Sequence, residues 1–221
     1  YVLLIIGMLL SLAASTRLKS TFSYYRKIRS ASGLTGAETA ERILRAAGIT
    51  DVHVRAISGS LTDHYDPRTK TVSLSEDIYD KTSLAAVGVA AHECGHAIQH
   101  ATNYAPLEMR SAIVPAANLG SSLSWPLFLI GLFAGIQPLV TAGIVLFSLA
   151  VLFQLVTLPV EVNASSRALK MLQSTGILGS DEAKGARSVL TAAAMTYVAA
   201  LAGSILQLLR LIILAGGRRD D

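Results

Sequence analysis

Between Ser111 and Val160 the sequence carries no Asp, Glu, Lys, Arg or His. An amphipathic helix of a soluble domain shows charged residues on its outer face every turn or two, whereas a bilayer crossing needs about 20 predominantly apolar residues. This stretch is long enough for two crossings. Gln137-Pro138 supplies a break followed by a helix start, so the stretch is read as a hairpin of transmembrane helices, roughly residues 112–135 and 139–160. The first contains Gly131-x-x-x-Gly135, a spacing that suits close helix packing in lipid or is simply abundant membrane glycine. A hairpin brings the chain back to the side it left, so Glu161 is expected on the same side as Arg110.

Two further apolar runs lie at the ends. The run from Tyr1 to Ala14 lacks an initiator Met, as expected of a chain with residues before Tyr1, and reads as a first transmembrane helix. A cleaved signal peptide ending near Ala13-Ala14-Ser15 is the alternative. Arg17, Lys19, Arg26, Lys27 and Arg29 follow at once and favour retention with this side in the cytoplasm. A fourth span is expected over residues 189–214, with Arg210 near its end able to snorkel. Arg218 and Arg219 then fall on the far side, a mild departure from the positive-inside rule that Asp220 and Asp221 do not remove.

Composition agrees with a membrane protein: 52% hydrophobic, 15% charged, mean hydropathy +0.49. The net charge of +4 does not point to nucleic acid, because the basic residues cluster beside apolar spans and no base-reading or phosphate-reading motif accompanies them. The single Cys94 rules out an internal disulfide or a cysteine-rich metal site and reads as a small buried residue.

The polar part, residues 30–110, has no repeat and no low-complexity run. Thr35-Gly36-Ala37-Glu38 matches a capping box whose helix would stop at Gly48. Asp51 to Ile57 alternates as a half-buried strand does, leaving His53 on its polar side. Asp66-Pro67 marks a turn before a second strand that ends at Ser75 and directly precedes a helix. That strand is expected at the sheet edge, where an extended peptide could pair with it, with His64 and Tyr65 polarising the scissile carbonyl or serving only as local turn residues.

The helix that follows carries the chemistry. Ser83 is a cap candidate, residues 84–91 are small and apolar, and His92-Glu93-Cys94-Gly95-His96 then gives the H-E-x-x-H pattern. Residues i and i+4 share a helix face, so His92 and His96 can offer nitrogens to one zinc ion while Glu93 takes the proton of the attacking water. Such a pattern also arises by chance, but a buried helix bearing His92, Glu93, His96 and His100 needs partners, and a metal supplies them. The third ligand has three candidates: Glu161, which the hairpin returns to this side, His100 and His64. A metzincin continuation would need Gly at 99 and His at 102, and the chain has Gln99 and Thr102. Pro159 is expected to disturb the helix just before Glu161.

Several longer motifs frame these residues: Ser20-Thr21 with Tyr24-Tyr25, Leu34-Thr35-Gly36-Ala37-Glu38, Asp63-His64-Tyr65-Asp66-Pro67-Arg68, the H-E-x-x-H run through Ala97, and Leu158-Pro159-Val160-Glu161-x-x-Ala164-Ser165. On them the chain resembles, over almost its whole length, the YugP-type neutral zinc metallopeptidases of bacterial membranes. It is similar, more distantly, to the HtpX and CAAX-prenyl-protease membrane gluzincins. The resemblance implies Zn2+ held by His92, His96 and Glu161, with Glu93 catalytic. Those relatives commonly place an aspartate four residues after the glutamate ligand, where this chain has Ser165.

The expected fold class is mainly α, a polytopic membrane protein of about four transmembrane helices with a small zincin-like α+β catalytic unit. The expected division is 1–15 first span, 16–110 catalytic unit, 111–160 hairpin, 161–188 the segment carrying the glutamate ligand, 189–215 fourth span and 216–221 tail. The expected function is a zinc endopeptidase of the bacterial inner membrane, its site facing the cytoplasm. Its partners would be the lipid bilayer and a protein or peptide substrate. Two other readings stay open: a zinc-binding scaffold or regulator that does not cleave, and a metal transporter, against which the charge-free spans argue.

Overall fold

The computed structural model describes residues 2–216, so Arg218, Arg219, Asp220 and Asp221 lie outside the described residues. In chain order the elements are α1 (Val2–Tyr25), α2 (Gly36–Ala46), β1 (His53–Ile57), β2 (His64–Asp66), β3 (Thr71–Ser75), α3 (Leu84–Ala101), α4 (Ala105–Ala134), α5 (Gln137–Ser174) and α6 (Ser180–Gly216). The protein is a mainly α polytopic membrane protein with a small α+β unit: α1, α4, α5 and α6 are each long and apolar enough to cross a bilayer. The chain divides into two compact units. One comprises Tyr1–Ser15, Glu108–Pro159 and Met195–Asp221, the other Thr16–Leu107 and Val160–Ala194.

In the first unit glycines let helix backbones approach. A Cβ at Gly143 would lie 2.8 Å from the backbone of both Ser124 and Phe128, and one at Gly131 would lie 2.6 Å from the Val140 nitrogen. The sequence pair Gly131 and Gly135 therefore has divided duties. Gly131 packs against the start of α5, while Gly135 sits in open space at φ +71° and makes the α4–α5 turn that only glycine adopts freely. Pro159, expected to disturb its helix, lies inside an unbroken α5. Its ring has no N–H to give the Leu155 carbonyl, so that helical bond is absent.

In the second unit α2 begins at the capping box: the Glu38 N–H donates to Thr35 Oγ1 (3.1 Å) and the Thr35 N–H to Glu38 Oε2 (2.8 Å). It ends where Gly48 turns at φ +72°. The apolar face of α2, Ala40, Ile43 and Leu44, joins Ala86, Ala90 and Cys94 of α3 in the core. Burial pushes the Cys94 thiol far up, so it stays protonated, and its Sγ lies 3.6 Å from the Ala40 carbonyl. Ser83 caps α3 by accepting from the Ala86 N–H at 3.2 Å.

The sheet corrects one expectation. Strand order is β1-β3-β2, with β1 parallel and β2 antiparallel to β3. The strand expected at the edge, residues 71–75, is the central one, buried along its length and paired on both sides, so no peptide can add to it. The turn at Asp66-Pro67 is a hairpin, stabilised by the Arg68 N–H donating to Asp66 Oδ1 (2.9 Å), and its three-residue first arm, β2, takes the edge.

Candidate metal centre

The buried helix α3 presents His92 and His96 one turn apart, their ring centroids 4.8 Å from each other. Glu161 comes from α5. A Cβ at Gly95 would collide with the backbone oxygen of Ala164, and Ala91, Ala164 and Ala168 are completely buried. This small-residue seam lets the backbones of α3 and α5 approach closely enough for Glu161 to reach both histidines. Its Oε2 lies 3.3 Å from His92 Nε2 and 3.4 Å from His96 Nε2, and all three side chains are at most 15% exposed.

These separations suit a metal site as they suit an ion-pair cluster, and the three donor atoms lie within 4.8 Å of one another. A tetrahedral zinc with bonds near 2.05 Å sets its ligand atoms about 3.3 Å apart, which is what the two nitrogen–oxygen distances show. Two imidazole nitrogens and one carboxylate oxygen form the donor set of a catalytic zinc site with one position left open. The opposite ring nitrogens are already engaged: His92 Nδ1 lies 3.1 Å from Ser165 Oγ, and His96 Nδ1 lies 3.0 Å from Gln99 Oε1. Both Nε2 atoms are thereby left to face the common point.

Burial disfavours the charged form of His96, but its hydrogen bond with Glu161 and the charge of Glu93 outweigh this and hold its pKa above the ordinary histidine value. A metal ion held by His96 would have to displace that proton, so its affinity would fall as pH drops. Glu93 is buried and, among the described residues, makes no hydrogen bond, which leaves its carboxylate lone pairs available.

The other expected residues lie differently. His64, exposed on β2, pairs its Nδ1 with the Thr62 carbonyl (2.9 Å), the local turn role. Tyr65 places its hydroxyl 2.8 Å from His100 Nδ1, tying β2 to the last turn of α3. Burial first, then Asp51 and Asp66, push the Tyr65 phenol up to about 12, so it keeps its proton at physiological pH. Neither His64 nor His100 joins His92, His96 and Glu161 in the ligand cluster. His53 is exposed on β1. Sequence reasoning used Gln99 only to exclude another protease class and missed its contact with His96. Its place one turn beyond a ligand on a buried helix was the available signal.

Comparison with known proteins points to zinc peptidases. The family profile described as "Putative neutral zinc metallopeptidase" matches residues 1–216. The chain is 48% identical over 212 residues to the "Putative membrane protease YugP" of Bacillus subtilis (strain 168), covering 96% of this chain and 94% of that one. No solved structure matches it.

Proposed function

We infer, for a chain that belongs to the neutral zinc metallopeptidase family, a membrane-embedded endopeptidase of gluzincin type. The observation that carries this is the convergence of His92, His96 and Glu161 on one point, with the unengaged Glu93 carboxylate on the same helix turn. Zinc is the metal that suits these ligands, and when bound it supplies Lewis acidity and a water acidic enough to attack near neutral pH.

The protein's own residues do the rest. Glu93 takes the proton of the attacking water and returns it to the leaving amine. Ser165 and Gln99 orient the imidazoles. The free edge of β2 holds an extended substrate by backbone pairing, the role first expected of the neighbouring strand. Tyr65 on that strand, a phenol that keeps its proton, is assigned to the substrate carbonyl, while His64 keeps its local bond with the Thr62 carbonyl. The catalytic unit comprises residues 16–110 and 161–188. Purified protein should cleave an unfolded protein substrate, lose activity to a zinc chelator and regain it with zinc. Cleavage that persists without zinc overturns the reading.

The side of the membrane follows from Arg17, Lys19, Arg26, Lys27 and Arg29, which assign the site to the cytoplasm of an inner membrane. Thr50 and Ser180 are both exposed. In a Cys94→Ala background, Thr50→Cys and Ser180→Cys should react with an impermeant thiol reagent only when the cytoplasmic face is open. Reaction of either from the outside, or of the two from opposite faces, would defeat this topology.

A further inference from the structure

The side chain of Gln99 is completely buried, and a buried amide is tolerated only with its donors and acceptor engaged. Its Nε2 donates to the Val160 carbonyl at 2.8 Å and to Asn163 Oδ1 at 3.0 Å. A carbonyl can only accept, so the atom facing Val160 is the NH2 and the atom facing His96 is the oxygen. Asn163 is oriented by the same logic, because its Oδ1 also accepts from Arg167 Nε at 2.8 Å and a guanidinium never accepts. The Arg167 guanidinium in turn lies 5.6 Å from the ring centroid of Tyr104. Tyr104 returns to the start, its N–H donating to the Gln99 carbonyl at 3.0 Å.

We propose that Gln99 is the positioning residue for the metal ligand His96, held by a closed relay through Asn163, Arg167 and Tyr104. An oxygen that can only accept faces His96 Nδ1, so Nδ1 carries the proton and Nε2 keeps its lone pair for the metal. The same relay grips Val160 and Asn163, which flank Glu161, so one network orients two ligands from two helices. His92 is held otherwise. Ser165 offers a rotatable hydroxyl that either donates or accepts, and it fixes neither tautomer. The site therefore has one firmly preset histidine and one adjustable histidine.

This rests on the zinc reading above, and the test separates the two. Full-length protein is loaded with zinc, and the metal's release to a chelator is timed in wild type and variants. Gln99→Leu and Asn163→Leu should release zinc about 10- to 100-fold faster than wild type, and Ser165→Ala should be affected less. Asn163→Asp keeps the accepting oxygens and should release zinc at the wild-type rate, while the melting temperature of the metal-free protein should not distinguish the Asn163 variants. The visible spectrum of the cobalt-loaded protein should change in Gln99→Leu. Wild-type release from both leucine variants, or equal loss in Asn163→Asp and Asn163→Leu, overturns the relay alone. A wild-type protein that binds no zinc overturns the relay and the peptidase reading together.

Discussion

Replacing Glu93 by Gln is expected to abolish peptide-bond cleavage while leaving zinc bound in full. The amide fills the volume of the carboxylate in a site that is 7% exposed, so packing on α3 is preserved. What is lost is the ability to accept a proton from the water that attacks the substrate. A positioned general base contributes about 10²- to 10⁴-fold to a rate, and a neutral amide replaces none of that. The ligand cluster does not include Glu93, so metal content should stay at one zinc per chain. Turnover measured beside metal content on the same sample checks this. A variant that loses its zinc would make Glu93 a ligand, and one that still turns over would remove it from the chemistry.

Features written in local residue types were legible before the structure. The uncharged run after Ser111, the capping box at Thr35 and Glu38 and the spacing of His92, Glu93 and His96 each depend on neighbours a few residues apart, and the structure places helices accordingly. The sheet order was not legible. The strand His64–Asp66 has three residues, too few to display an alternation, and the decision to put β3 in the centre is made by pairings with β1 and β2 that no local pattern encodes. Pro159 was legible only in part: it removes one helical bond, yet α5 continues through it, with Val160, Ala164 and Ala168 completely buried just beyond.

The candidate site divides the same way. His92 and His96 sit on one helix, so helical periodicity alone brings them together. Glu161 is 65 or more positions away in sequence, and sequence could name it only as one of three candidates until its motif was set beside a family. Gly95 reads as a free position inside H-E-x-x-H, yet the close pass of the Ala164 backbone leaves no room for a Cβ there, and that pass brings Glu161 to both histidines. Ser165 looked like a lost carboxylate. In the structure its hydroxyl meets His92, and the stronger orienting group is Gln99 on the other histidine, a role invisible without the Val160 and Asn163 contacts that fix which end of the amide faces the ring.

Glu161→Ala should lose zinc and activity together, in contrast to Glu93→Gln. With its carboxylate gone, two imidazoles remain. Two ligands cannot compete with a mild chelator for an ion whose protein sites hold three and leave one position open. The loss should not come from unfolding: Glu161 sits inside a long helix, alanine is the best helix former, and Ala164 and Ala168 still pack against α3. Circular dichroism and elution volume should match wild type while zinc per chain falls to near zero. His64→Ala and His100→Ala serve as the controls, because His64 is turned to the Thr62 carbonyl and His100 to the Tyr65 hydroxyl, and both variants should keep the metal. If Glu161→Ala retains its zinc while either histidine variant releases it, the third ligand is that histidine, and the assignment of this protein to the gluzincin type falls with Glu161.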